Sequence, residues 1–219
     1  MNLTLFDLDH TLLSGDSDVL WCDYLMEIGL LDRASFAPRN AQMEADYKAG
    51  TVDAAAFAAF YVSTLAGRTP EELEPVRRDF LAREVVPRIP LGARDLVDTH
   101  RRAGDLVVMT TATNRYITEL TAAHFGIEHL IATEVEIEGG RFTGRPRGIA
   151  NMREGKVTRL ADWLAGRGRT LDDYVSTAYS DSANDLPLLR AVHRAVAVNP
   201  DARLDAAARD SGWAVLRLR

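Results

Sequence analysis

The stretch Leu3-Thr4-Leu5-Phe6-Asp7-Leu8-Asp9-His10-Thr11 decides the fold. Residues 3–8 form a short apolar run ending in acid, the pattern of a buried strand. In open α/β sheets the ligand lies beyond the carboxyl ends of the strands, so polar residues gathered there outweigh polar residues elsewhere. Asp7 and Asp9 point the same way only while the chain stays extended. Two acids at the end of an apolar strand repel each other and lose solvation, so they need a cation or a positive side chain nearby.

Downstream of this strand, residues 16–87 carry helical periodicity, many alanines and no strand pattern. Helices are expected at 18–28, 34–48, 52–65 and 70–85. Gly29, Gly50 and Gly67 lie near helix ends, and Thr69-Pro70-Glu71-Glu72 is a helix start. From Leu91 the pattern alternates. Helices are expected at 92–102, 114–125, 156–165, 185–191 and 202–209, and strands at 106–111, 129–133, 174–180, 195–198 and 213–218. Residues 134–143 alternate with period two around Gly139-Gly140, a hairpin signal. The expected fold is α/β: a Rossmann-like doubly wound parallel sheet formed by residues 1–15 and 88–219, interrupted by a helical domain at 16–87.

The whole chain fits that architecture. Its 219 residues exceed one average domain, and 47% hydrophobic against 26% charged residues excludes a disordered chain. With 26 basic and 32 acidic residues the net charge is −6. A nucleic-acid partner usually calls for a basic excess, so none is expected. Two aspartates interrupt the N-terminal apolar run, so no secretory signal is expected, and no run approaches the ~20 residues of a membrane span. The expected location is the cytoplasm, as a monomer or homodimer. The single cysteine, Cys22, allows neither an intramolecular disulfide nor a cysteine-built metal site.

A second acidic cluster, Ser180-Asp181-Ser182-Ala183-Asn184-Asp185, follows the strand expected at 174–180. Asp181 and Asp185 are four apart and meet if the chain turns helical there. With Asp7 and the neutral oxygen of Asn184 they form a hard, oxygen-rich set that suits Mg²⁺. Thr111 ends the strand Val107-Val108-Met109-Thr110-Thr111, and its hydroxyl can donate to a phosphoryl oxygen. Lys156 opens a helix, where a cation is unfavourable for the dipole unless it offsets buried carboxylates and an incoming phosphate.

These four pieces, in this order, resemble the haloacid dehalogenase superfamily of phosphohydrolases. Asp7-Leu8-Asp9-His10-Thr11 fits the family's DxDxT motif. Thr111, Lys156, and Asp181 with Asp185 fit its second, third and fourth motifs. The inserted helices resemble the C1-type α-helical cap of the phosphoserine phosphatase-like branch, subfamily IB. Within it the chain looks like bacterial phosphatases of histidinol phosphate and phosphoserine.

The resemblance implies a phosphomonoester hydrolase acting on a small phosphometabolite. Asp7 would be the nucleophile that forms an aspartyl-phosphate, and Asp9 the general acid and then base. Thr111 and Lys156 would hold phosphoryl oxygens. Mg²⁺ would bind Asp7, the Asp9 carbonyl and Asp181, with Asp185 and Asn184 in support, Asn184 also on the substrate side. Asp16 stands where phosphoserine phosphatases carry a substrate-binding glutamate. The cap arginine that would hold a substrate carboxylate is missing, since residues 54–60 contain none. That pattern favours an amine-bearing phosphate without a carboxylate, such as histidinol phosphate. Ser180 and Ser182 replace the usual glycines around the fourth-motif aspartate.

Asp18, Trp21 and Tyr24 share one face of the first cap helix, as binders of an organic cation or, for the two aromatics, as cap core. Asn114 and Arg115 follow the second motif within reach of substrate, although Arg115 suits an exposed first turn equally well. His10 fits packing better than metal ligation. Rival readings are a phosphotransferase with the same motifs, a receiver-like signalling module and a catalytically dead interaction protein. The acid two residues after Asp7 and the ~70-residue insertion argue against the receiver.

Overall fold

A computed structural model describes residues 1–218. Its seven-stranded sheet has the order β4-β3-β2-β1-β5-β6-β7. The strands are β1 (Asn2–Phe6), β2 (Leu106–Asn114), β3 (His129–Glu138), β4 (Arg141–Arg147), β5 (Val175–Ser180), β6 (Arg194–Val198) and β7 (Ala214–Leu216). All neighbours pair parallel except β3 and β4. The chain builds outward on both sides of β1, so the crevice of a doubly wound sheet opens at the carboxyl end of this strand.

β1 is central and buried on both faces, which explains its continuous apolar run. Leu3 and Leu5 join Val108, Ile131, Leu160 and Leu189 on one side of the sheet. Phe6 joins Met109, Val97 and Phe125 on the other. The Gly139-Gly140 hairpin is present, with both glycines at positive φ (56° and 77°) as a tight turn between right-twisted strands requires.

Nine helices lie among the described residues. They are α1 (Ser17–Glu27), α2 (Arg33–Ala49), α3 (Ala54–Val62), α4 (Pro70–Phe80), α5 (Leu91–Arg102), α6 (Arg115–His124), α7 (Glu154–Ala165), α8 (Leu186–Ala191) and α9 (Ala202–Ser211). Helices α1 to α4 fall between β1 and α5. Helices α1 to α3 share an apolar cluster of Cys22, Met26, Phe36, Phe57, Phe60 and Tyr61, to which Met152 of the α/β part also belongs, while Leu73 and Phe80 of α4 join the cluster of Phe6. No helix of the described residues is long and apolar enough to cross a membrane.

Several expected bounds are corrected. The first strand ends at Phe6, because the Leu8 carbonyl accepts from the amides of Thr11, Leu12 and Leu13 and turns the chain. The helix expected at 70–85 stops at Phe80 and continues as a wider turn over Leu81–Val85. β2 extends beyond Thr111 to Asn114, and Asn114 becomes the cap of α6 rather than its first turn. The last strand is shorter than 213–218.

Gly155, in the first turn of α7, fits a close approach. A Cβ there would lie 2.1 Å from the Ala150 carbonyl oxygen. Relieving that clash must move backbone next to Lys156, so Gly155→Ala is expected to cost about 1–3 kcal/mol in denaturant unfolding. An unchanged unfolding midpoint would refute this account of the turn.

Candidate active site

The site begins where the chain leaves β1. The turn at Leu8 sends Asp7 and Asp9 to different partners. Asp7 Oδ1 accepts from Lys156 Nζ at 2.7 Å, and its Oδ2 accepts from the Thr11 hydroxyl at 3.1 Å. Lys156 Nζ also donates to Asp185 Oδ2 at 2.6 Å. The Thr11 hydroxyl is likewise 3.1 Å from Asp181 Oδ1, and Ser180 Oγ donates to Asp185 Oδ2 at 2.8 Å. The ends of β1 and β5 and the start of α7 thus bring Asp7, Asp181, Asp185 and Lys156 together.

The electrostatics follow from burial. Lys156 is 2% exposed; burial alone would lower its pKa, but Asp185 and Asp7 hold it above the ordinary lysine value. Burial raises the Asp7 carboxyl against the pull of Lys156, and Asp185 and Asp9 raise it further. Asp181 is pushed well above the carboxylate range by burial, Asp7 and Asp185.

The buried carboxyl groups of Asp7 and Asp185 share one ammonium, and the half-buried Asp181 lies beside them, so acids outnumber cations in a set that suits a divalent cation. Among the described residues no three His, Cys, Asp or Glu side chains already converge as a complete ligand set. Mg²⁺ does not require one, since it keeps several waters and uses one or two carboxylates with a phosphate oxygen. Asp7, Asp181 and Asp185 meet that demand.

Asp9 heads a second group. Its Oδ1 accepts from the Ser17 amide at 2.7 Å, and its Oδ2 from the hydroxyls of Thr111 (3.2 Å) and Thr113 (3.0 Å). Thr111 therefore ends its run of β2 beside Asp9. Asn151 Nδ2 donates to the Thr111 and Ile131 carbonyls, each at 2.9 Å, and ties β2 to β3. Asp16 lies next to Asp9 but caps α1, accepting from the amides of Asp18 and Val19. Burial first, and Asp9 second, push the Asp16 carboxyl up to about 8.

The remaining expected residues divide. Asn184 holds the helical insertion: its Nδ2 donates to the Tyr47 carbonyl at 3.2 Å, and its Oδ1 accepts from Arg153 Nε at 3.3 Å. Arg115 is not brought to the site. Its guanidinium binds Glu134 through two nitrogens and the Leu130 carbonyl. Burial would raise the Glu134 carboxyl, but Arg115 and Arg159 hold it low. Trp21 and Tyr24 pack with Phe80 and donate to Thr64 and Asp79, so they are core rather than cation binders. His10 has φ 55° and lines a cleft of about 690 Å³ with Tyr47, Asp181 and Ser182.

Sequence reasoning missed Tyr47, Thr113 and Asn151. Tyr47 sits in the last turn of α2, with its hydroxyl toward the site. Burial, then Asp185, Asp7 and Asp181, push its phenol well above the ordinary range. Nothing local marks it, because its role depends on how α2 docks.

A family model described as haloacid dehalogenase-like hydrolase matches residues 4–190. This chain belongs to that family. It is 44% identical to a histidinol-phosphatase of Neisseria meningitidis serogroup C, over 100% of this chain and 99% of that one. It is 33% identical to a phosphoserine phosphatase of Mycobacterium tuberculosis, over 98% of this chain and 70% of that protein. A crystal structure of a protein of unknown function from Bordetella pertussis Tohama I superposes with a TM-score of 0.94 at 44% identity, covering 100% of this chain and 99% of that one. A substrate-bound phosphoserine phosphatase shares the fold, with a TM-score of 0.70 at 17% identity over 98% and 92% of the two chains. As a member of the haloacid dehalogenase-like hydrolases, the chain is a phosphatase.

Asp16 gives this hydrolase a pH signature. Its folded pKa of about 8 lies above the ordinary 3.8, so between those values the folded state binds the proton more tightly and stability falls as pH rises. Asp16→Asn keeps a capping oxygen and removes the buried charge. The variant's melting temperature should exceed the wild type's by a margin that widens from pH 5 to pH 8. A constant margin would show that Asp16 does not titrate in this window.

Proposed function

We propose that this phosphatase hydrolyses a small phosphomonoester through a phosphoryl group carried on Asp7, with Mg²⁺ as its metal and histidinol phosphate as its substrate. The observation that carries the reading is the bridge from Lys156 to Asp7 and Asp185, which sets a cation against the nucleophile at the crevice of the sheet. In the first step an Asp7 carboxylate oxygen bonds to phosphorus, the ester P–O bond breaks and Asp9 gives its proton to the departing oxygen. In the second, Asp9 takes a proton from water as that water bonds to phosphorus. The Asp7–phosphorus bond then breaks and inorganic phosphate leaves.

Lys156 and Thr111 hold phosphoryl oxygens, and the hydrogen bonds of Asp9 to Ser17, Thr111 and Thr113 fix its aim. Mg²⁺ would be held by Asp7, the Asp9 carbonyl and Asp181, with Asp185 and Asn184 in support, and would supply charge neutralisation for phosphoryl transfer.

Residues 16–87 act as a cap. The last turn of α2 offers its carbonyls to the α/β part: Tyr47 to Asn184, Ala49 to Arg203 and Gly50 to Arg153. This is a closed arrangement, which excludes bulk water and must part to admit substrate. The two chain crossings lie side by side, with the Ser14 amide donating to the Arg88 carbonyl at 2.8 Å and Gly15 at φ 148°.

Histidinol phosphate is favoured over phosphoserine because the cap presents no arginine at 54–60. The guanidinium of Arg153 is held by Gly50 and Asn184. A substrate carboxylate would therefore lack a guanidinium partner at these positions, and Lys48, which lines the cleft, is already paired with Glu44.

In a phosphate-release panel with Mg²⁺, histidinol phosphate should lead phosphoserine, and chelation of the metal should abolish release. Phosphoserine far ahead would overturn the substrate assignment. Asp7→Asn should lower kcat by at least about 10³-fold, as expected for loss of a nucleophile. Substantial residual turnover in that variant would overturn the mechanism. Phosphoryl transfer to an added alcohol, rather than to water, would mark a phosphotransferase.

A further inference from the structure

The loop that carries Asp181 is held through its amides. Ser182 N donates to Ser180 Oγ at 3.2 Å, Ala183 N to Asp201 Oδ2 at 2.8 Å, and Asn184 N to Ser182 Oγ at 3.2 Å. Consecutive amides thus end on side-chain oxygens. Two of those oxygens are local hydroxyls. The other is a carboxylate from 18 residues further along the chain. A carboxylate accepting from a backbone amide is the strongest of these bonds, because the acceptor is charged.

Asp201 also grips the loop from the opposite direction. Its own amide donates to the Asp181 carbonyl at 2.8 Å. The two bonds form a clasp that spans residues 181–183. The other carboxylate oxygen of Asp201 accepts from Leu204 N at 2.7 Å and caps α9. The clasp is pinned from behind by Asn199, which follows β6 with φ 42°. The Asn199 amide donates to the Leu216 carbonyl at 2.9 Å, and its side-chain oxygen accepts from the Leu218 amide at 3.1 Å. A non-glycine residue persists at positive φ only where its surroundings hold it there. Here that strain turns the chain so that Asp201 meets Asp181.

The Asp181 side chain needs such a hold. It accepts from the Thr11 hydroxyl at 3.1 Å, a donor it shares with Asp7, while Asp7 and Asp185 repel it. A shared hydroxyl opposes that repulsion weakly, so the backbone has to keep the carboxylate in place.

We propose that Asp201 is a positioning residue that fixes Asp181 and thereby sets the affinity of the site for its divalent cation. The proposal rests on the Mg²⁺ reading above and involves neither the phosphoryl oxygens nor the alcohol half of the substrate. Capping α9 requires one side-chain oxygen, and the clasp uses the other.

Two substitutions separate the clasp from the cap. Asp201→Ser keeps a capping oxygen but is too short to reach Ala183 as well. Asp201→Asn keeps one acceptor and sets its amino group against the remaining amide. Ala206→Gly, at an exposed position of α9, weakens the helix and leaves the clasp intact. Mg²⁺ affinity is read without turnover, from the melting temperature as a function of Mg²⁺ concentration. The half-saturating concentration should rise roughly tenfold in both Asp201 variants, the scale on which outer partners of metal ligands act. It should stay at the wild-type value in Ala206→Gly. In hydrolysis of p-nitrophenyl phosphate, the Mg²⁺ needed for half-maximal rate should rise in parallel, and the KM for the ester at saturating Mg²⁺ should not change.

An unchanged Mg²⁺ affinity in both Asp201 variants, or an equal loss in Ala206→Gly, overturns the proposal and leaves the metal reading standing. A wild type whose melting and turnover are both indifferent to Mg²⁺ overturns the metal reading, and the proposal with it. Should Asp201→Ser fail to fold, Asp201→Asn decides alone.

Discussion

The Lys156 ammonium, lodged between Asp7 and Asp185, is the contact around which the rest of the site is arranged. Its cost is large, because all three groups have left water, and a buried ion pair rarely adds net stability. Removing one partner is worse: it strands a buried charge at about 3–5 kcal/mol. The protein therefore commits several elements to it. Gly155 lets the Ala150 carbonyl come close, and Arg153 adopts φ 51° just before α7. Ser180 and Thr11 supply further donors to the carboxylates. Strain and buried charge concentrated in one place are what a functional site looks like in a fold otherwise consistent with its sequence.

Much of this is legible in the amino-acid sequence alone. The acids at the end of β1 could not be core residues, and the crevice rule assigns them to a site with Asp181, Asp185, Thr111 and Lys156. The alternation of helix and strand after Leu91 foretells the sheet. What stays hidden is what depends on docking between distant segments. Tyr47 reaches the carboxylates only because Asn184, Arg153 and Arg203 hold the last turn of α2. Arg115 has a plausible place at the second motif, but the bidentate geometry available at Glu134 takes it across β3. The strand expected over 3–8 also conceals the turn at Leu8.

That turn has a consequence beyond boundary placement. It separates two acids only two residues apart into opposite electrostatic environments. Asp7 faces a lysine and the carboxylates that suit a metal, a half of the site that can accept an anion. Asp9 faces hydroxyls and an amide, with the acids Asp16 and Asp18 nearby, a half that offers an anion no cation. A chain of net charge −6 does not hold a phosphate through its overall field, so the attraction has to be local and one-sided. The ligand that satisfies both halves has its phosphate and its positive charge at opposite ends. A second negative group at that end would meet the carboxyl groups of Asp9, Asp16 and Asp18, with which no guanidinium of the described residues is paired. On this reading, selectivity comes as much from what the Asp9 half rejects as from what Lys156 binds.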